Sequence, residues 1–152
     1  MPHIPLEAHL PGITGLLEYR QDTAAPIREL TQILLRGEST LTQAERELIA
    51  TLVSSRNGCR FCTAAHTAAA DLLAGEPETC EAVKHDYRTA PVSKKMKALL
   101  HIAALVQQGG KHVLPEDIEN ARQHGATDRE IHDTVLIAGL FFLYNRYCER
   151  LG

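Results

Sequence analysis

Residues 42–75 read TQAERELIATLVSSRNGCRFCTAAHTAAADLLAG, two helical patterns separated by a tight turn. Thr42 and Glu45 have the T-x-x-E spacing of a capping box, so a helix starts here. Leu48, Ile49, Leu52 and Val53 recur at helical spacing and form a core stripe. Asn57-Gly58 ends that helix, because both residue types tolerate left-handed backbone. A second helix starts at once around Cys59 and runs to about Ala74, where Gly75 and Pro77 stop it. Its alanines at 64, 65, 68, 69 and 70 favour helix and let neighbouring helices approach closely. Two helices joined by so short a turn predict a packed helical hairpin, with a C-x-x-C pair at the start of the second, alanine-rich helix.

The same grammar continues on both sides. Downstream, a short helix is expected over Glu78–Tyr87. Ser93 caps a helix with Met96, Leu99, Leu100, Ala103 and Val106 on one face, ended by Gly109-Gly110. Pro115 opens another to His124. Thr127 and Glu130 form a second capping box, and the helix after it runs to about Glu149. From Val135 to Tyr144 that helix is apolar all round, which predicts either the centre of the core or a subunit interface. Upstream, a helix is expected from Pro26 to about Leu35, stopped by Gly37. Residues 1–23 read as an irregular arm with a short helix around Thr14–Tyr19. Strand signals are scarce, and aromatic residues are only 5% of the chain. The expectation is an all-α, single-domain helical bundle spanning residues 1–152, with no internal boundary or repeat.

Composition narrows the function. Of 152 residues, 44% are hydrophobic and 23% charged, which is ordinary for a folded globular chain and excludes disorder. Sixteen basic and nineteen acidic residues give a net charge of −3. There is no basic tract to offset phosphates, so no nucleic-acid partner is expected. The longest apolar run, Val135–Tyr144, falls well short of the roughly 18 residues of a spanning helix, so no membrane insertion is expected either. The N-terminus lacks the pattern of a signal peptide, and a cytoplasmic location is expected. In that compartment, four cysteines are reactive thiols or metal ligands more often than structural disulfides.

Cys59, Cys62 and His66 carry the chemistry. On a helix, 59 to 62 is about −60° of rotation, 62 to 66 about 40°, and 59 to 66 about −20°. All three side chains therefore share one face, with the cysteines in the first turn, where unpaired N–H groups favour a thiolate. A neighbouring imidazole can take a thiol proton. Two cysteines three apart can close a disulfide, so one can attack and the other resolve. Glu47, twelve residues before Cys59, lies on the preceding helix with Thr51 and Ser54. A carboxylate there could orient His66 or relay its proton. Two other readings stand beside this one. Cys59, Cys62, His66 and Cys80 would supply four ligands for a structural zinc, or the cysteines simply pack. Cys80 and Cys148 are isolated in sequence and read as packing or surface positions.

At these residues the sequence resembles the alkyl hydroperoxidase D (AhpD)-like branch of the carboxymuconolactone decarboxylase family, peroxidase-related subgroup. The matching pattern is a Glu followed by S-x-x-N-x-C-x-[aromatic]-C-x-x-x-H, here Glu47, Ser54, Asn57, Cys59, Phe61, Cys62 and His66. The arm Leu10-Pro11-Gly12-Ile13, the phrase Ser39-Thr40-Leu41-Thr42 and the closing Asn145-Arg146 extend it over most of the chain. The resemblance implies an all-α fold assembling as trimers or hexamers, and a thiol peroxidase with no haem, flavin or metal cofactor. It implies Cys62 as the peroxidatic cysteine, Cys59 as the resolving one, and His66 and Glu47 as a proton relay. Its implied partners are a hydroperoxide substrate and an external dithiol or thioredoxin-like reductant. Some members carry a second His between the two cysteines, where this chain has Phe61. Decarboxylases proper lack the C-x-x-C pair, which argues against lactone chemistry here.

Overall fold

The structure is a computed structural model that describes residues 2–151. Its helices run α1 (Ile13–Tyr19), α2 (Gln21–Arg36), α3 (Gln43–Arg56), α4 (Arg60–Ala74), α5 (Pro77–Asp86), α6 (Lys94–Gln108), α7 (Pro115–Gln123) and α8 (Asp128–Leu151), with a 3-10 turn at Gly110–His112. No strand occurs among the described residues. The all-α expectation therefore holds as a single bundle. Among the described residues, no helix is long and apolar enough to cross a membrane.

The capping residues act as their spacing predicts. Thr42 Oγ1 accepts from the Glu45 N–H, and the Glu45 carboxylate accepts from the Thr42 N–H. Thr127 and Glu130 repeat the box at the start of α8. Ser93 caps α6 through the Met96 N–H. Between α3 and α4 the turn residues divide the work. Asn57 stays right-handed, and Gly58 alone takes the left-handed φ of 74° that a Cβ would strain.

The central helix is α3, which packs against α2, α4, α5, α6 and α8. Every residue from Arg46 to Ser54 is buried, so a one-sided stripe understated its burial. Arg46 is accommodated because its guanidinium donates to the carbonyls of Leu34 and Gly37, capping the end of α2. The core around α3 includes Ile49, Leu52, Leu99, Leu100, Ile102, Ile137 and Phe141, all essentially without exposure.

One expectation is corrected. The amino-terminal segment is irregular only up to residue 12. Leu16 and Leu17 are buried, which pins α1 to the bundle, and α2 begins at Gln21 rather than Pro26. The helix accommodates Pro26 at the cost of its N–H bond to the Asp22 carbonyl. For α8 the two open readings, core or interface, divide between its faces. Ile137, Ala138, Phe141, Tyr144, Asn145 and Cys148 face inward, while Val135, Leu136, Phe142 and Leu143 lie exposed on its outer side. The apolar run thus serves two faces, one covered by the bundle and one open.

Candidate active site

The α3–α4 hairpin, closed by α8, builds the site. Cys59 is the N-cap of α4, and Cys62 sits in its first turn. Both are buried, and so is Cys148 near the end of α8. The three sulfurs lie within 4.8 Å of one another. Ile13 and Phe61 pack around them. Cys148 therefore departs from the sequence expectation of an isolated packing or surface cysteine, and it joins the C-x-x-C pair. Cys80 does not. It is buried beneath Thr51 and Thr67, away from the cluster. The four-ligand zinc set of Cys59, Cys62, His66 and Cys80 is thus not assembled. The sulfurs that do converge are those of Cys59, Cys62 and Cys148.

A network of amides fixes α8 against the hairpin turn. Asn145, with no exposure, donates to Ser54 Oγ at 3.0 Å and accepts from Asn57 at 2.9 Å. Asn57 in turn accepts from Gln107 on α6. Asn145 also contacts the Cys62 sulfur, where its N–H favours the anion. One helical turn beyond Asn145 comes Cys148, so the same clamp that orders α8 sets its third thiol against Cys62.

His66 stands one turn after Cys62. Its Nδ1 donates to Glu47 Oε2 at 2.6 Å, and its ring meets Phe141 edge-on at 4.5 Å. With Nδ1–H held by a carboxylate, Nε2 is the nitrogen left to exchange protons. Glu47 is completely buried, and Arg36 of α2 contacts its Oε1 at 2.5 Å as an ion pair without hydrogen-bond alignment. Burial alone would raise the Glu47 carboxyl. The His66 and Arg36 partners outweigh it and hold the group below the ordinary carboxylate value. The sequence placed Glu47 and His66 together correctly, but Arg36 was not foreseen, since nothing local links α2 to Glu47.

The thiols share charge unevenly. Donation from the Cys62 thiol, and then from Cys59, lowers Cys148 to about 6 against an ordinary 9.0, despite its burial. The contact with Cys148, then burial and the neighbouring Cys59, push Cys62 up. One anion solvated by two S–H donors forms easily, while a second beside it does not. The helix terminus is thus not the sole influence on the thiols, since Cys148 of α8 shares their charge. A depressed thiol stays ionised above its folded value and is protonated as pH falls through it. Ultraviolet thiolate absorbance of the reduced protein should therefore show one ionisation near pH 6. A first step only near 9.0, the unperturbed thiol value, would contradict the shared-anion geometry.

Beside Cys62 and His66 lies a cavity of about 160 Å³, walled by Ile13, Leu17, Thr31, Phe61, Phe141 and Tyr144. Thr31 and Tyr144 are hydrogen-bonded to each other across it at 2.5 Å. A larger, shallower groove of about 560 Å³ runs along another side of α4 past Arg60, Asp71 and Lys84, and neither a thiol nor an imidazole lines it. Gly12, at φ 52°, packs against Phe61 of the cavity wall, and a Cβ built there would come within 2.4 Å of the Phe61 ring. Gly12→Ala should therefore displace Phe61 and strain the backbone, costing about 1–3 kcal/mol. Denaturant unfolding checks this, and an unchanged midpoint would refute the packing.

The comparisons place this architecture. The carboxymuconolactone decarboxylase family model matches residues 21–79. An uncharacterized peroxidase-related protein from Silicibacter sp. TM1040 is 30% identical over 95% of this chain and 85% of its own, with a TM-score of 0.82. The chain belongs to the AhpD-like branch of the carboxymuconolactone decarboxylase family. Another AhpD-like chain, the alkylhydroperoxidase AhpD core protein of Ralstonia eutropha JMP134, also described as uncharacterized and peroxidase-related, is 29% identical. It aligns over 88% of this chain and 70% of its own, with a TM-score of 0.82. A protein of unknown function from Agrobacterium tumefaciens, 20% identical, shares the AhpD-like fold at a TM-score of 0.73, over 90% of this chain and 92% of that one. No curated protein matches the sequence significantly.

Proposed function

We propose that this AhpD-like protein is a cytoplasmic thiol peroxidase of antioxidant defence. The observation that carries the reading is the juxtaposition of Cys62 with Cys59, beside a His66 already oriented by buried Glu47. The single anion of the thiol cluster moves to Cys62 when its proton shifts to the touching Cys148 sulfur. The Cys62 thiolate attacks the terminal oxygen of a hydroperoxide, the O–O bond breaks, and the alkoxide takes the displaced proton through His66 and leaves as the alcohol. Cys62 is now a sulfenic acid. Cys59 condenses with it, a disulfide forms and water leaves. An external dithiol returns two electrons and two protons. The apolar walls and small volume of the cavity favour hydrogen peroxide or a short organic hydroperoxide over bulky substrates.

A dithiol-coupled peroxide-consumption assay tests the reading. Turnover of a small organic hydroperoxide that depends on the dithiol is expected, and the absence of turnover above the dithiol-only background would overturn it. The relay has one imidazole, because Phe61 occupies the place where some relatives carry a second.

The open apolar side of α8 supports self-association into the trimer or hexamer that the family resemblance implies. Leu143→Asp, on that outer side, is expected to shift the protein to monomers in sedimentation velocity. A wild type that is monomeric at micromolar concentration would contradict the assembly.

A further inference from the structure

We infer that Cys148 is a third redox thiol of this site, condensing directly with oxidised Cys62 in parallel with Cys59. The inference takes its physiological oxidant from the peroxidase reading but stands on separate geometry. Cys148 comes from α8, far along the chain from the C-x-x-C pair, yet its sulfur is in contact with those of both Cys62 and Cys59. All three are buried, so none is a solvent-facing bystander. The Asn145 clamp one turn earlier holds α8 in register with Ser54 and Asn57, and the approach of Cys148 is part of that fixed packing.

A sulfenic acid is resolved by a thiolate rather than by a thiol. In the reduced site donation from Cys62 and then Cys59 favours the anion on Cys148, whose sulfur already touches that of Cys62. The Cys148 thiolate attacks the sulfenic sulfur of Cys62, the S–O bond breaks and the S–S bond forms. Hydroxide departs and takes a proton from solvent to become water. Cys62 passes from sulfenic to disulfide state, and Cys148 supplies the electron pair. The external dithiol then reduces the Cys62–Cys148 bond as it would the Cys59–Cys62 bond.

The test uses the full-length Cys59→Ser protein, its fold checked by circular dichroism. It is oxidised in one arm by one equivalent of a small organic hydroperoxide and in the other by diamide, a thiol oxidant that needs no peroxidase chemistry. After acid quench, unfolding and alkylation, peptide mass mapping locates the disulfide. An intramolecular Cys62–Cys148 bond is the expected product, and it should vanish in Cys59→Ser/Cys148→Ser. In the hydroperoxide arm, a sulfenic acid on Cys62 should become trappable in that double variant. Recovery of Cys148 as alkylated thiol in both arms would overturn the inference. If diamide forms the bond while the hydroperoxide oxidises neither the variant nor the wild type, the third-thiol inference stands and the peroxidase reading falls. If Cys59→Ser does not fold, the wild type is quenched early in oxidation and mapped. A Cys62–Cys148 fraction supports the inference, and Cys59–Cys62 alone overturns it.

Discussion

Replacing Cys62 by serine is expected to reduce hydroperoxide consumption to background, a loss of at least ~10³-fold. The loss follows from the position of Cys62. It is the cysteine that lines the cavity together with His66, whereas Cys59 lies behind it at the N-cap of α4. A serine hydroxyl there would keep the packing but could not attack a peroxide oxygen at neutral pH. Cys59→Ser should be milder in a single turnover, since Cys62 can still be oxidised once. Equal activity of Cys62→Ser and wild type in the coupled assay would mean that another group does the chemistry. His66→Asn should fall between these, with a loss of about 10²-fold for a missing proton carrier.

The largest stability effect is expected at Glu47. The carboxylate is fully buried and answers two cationic or proton-donating partners, Arg36 and His66. Glu47→Ala removes it and leaves the guanidinium without its counter-charge. Breaking one side of a buried ion pair costs about 3–5 kcal/mol. Arg36 and His66 keep some solvent access, at 31% and 22% exposure, which places the loss near ~3 kcal/mol. Denaturant midpoints at constant slope measure it. A loss below ~1 kcal/mol would show that the pair is replaced easily by water. The acid side carries the same signature. A carboxyl depressed below its ordinary 4.5 stabilises the fold above that pH, and this contribution is lost as pH falls through the lower folded value. The wild type should therefore lose stability below about 4.5, and Glu47→Gln should flatten that slope.

Local signals made most of the helices legible. Thr42–Glu45, Thr127–Glu130 and Ser93 act over three residues, so their spacing predicts their hydrogen bonds directly. The pairing of Glu47 with His66 was legible because the tight turn at Asn57-Gly58 leaves α3 and α4 little choice but to pack together. Cys148 and Arg36 were not legible. Each reaches the site from a helix whose placement depends on the whole bundle, and neither sits in a pattern with Cys59, Cys62 or His66. The clamp of Asn145 on Ser54 and Asn57 is the physical link for Cys148, and it pairs residues on opposite sides of the chain. The 135–144 run left core and interface both open for a related reason. An apolar face opening outward has the same composition as one buried in a core, and only the packed bundle separates Phe141 from Phe142.

The thiols at the start of α4 give two electrons to a hydroperoxide and close a disulfide. The most direct measurement is a count of free thiols in the fully reduced wild type, before and within seconds of adding one equivalent of an organic hydroperoxide. Loss of two thiols per chain, with Cys62 in the resulting disulfide and the alcohol released in equal amount, is the predicted result. Retention of all four thiols while the hydroperoxide stays intact would contradict it.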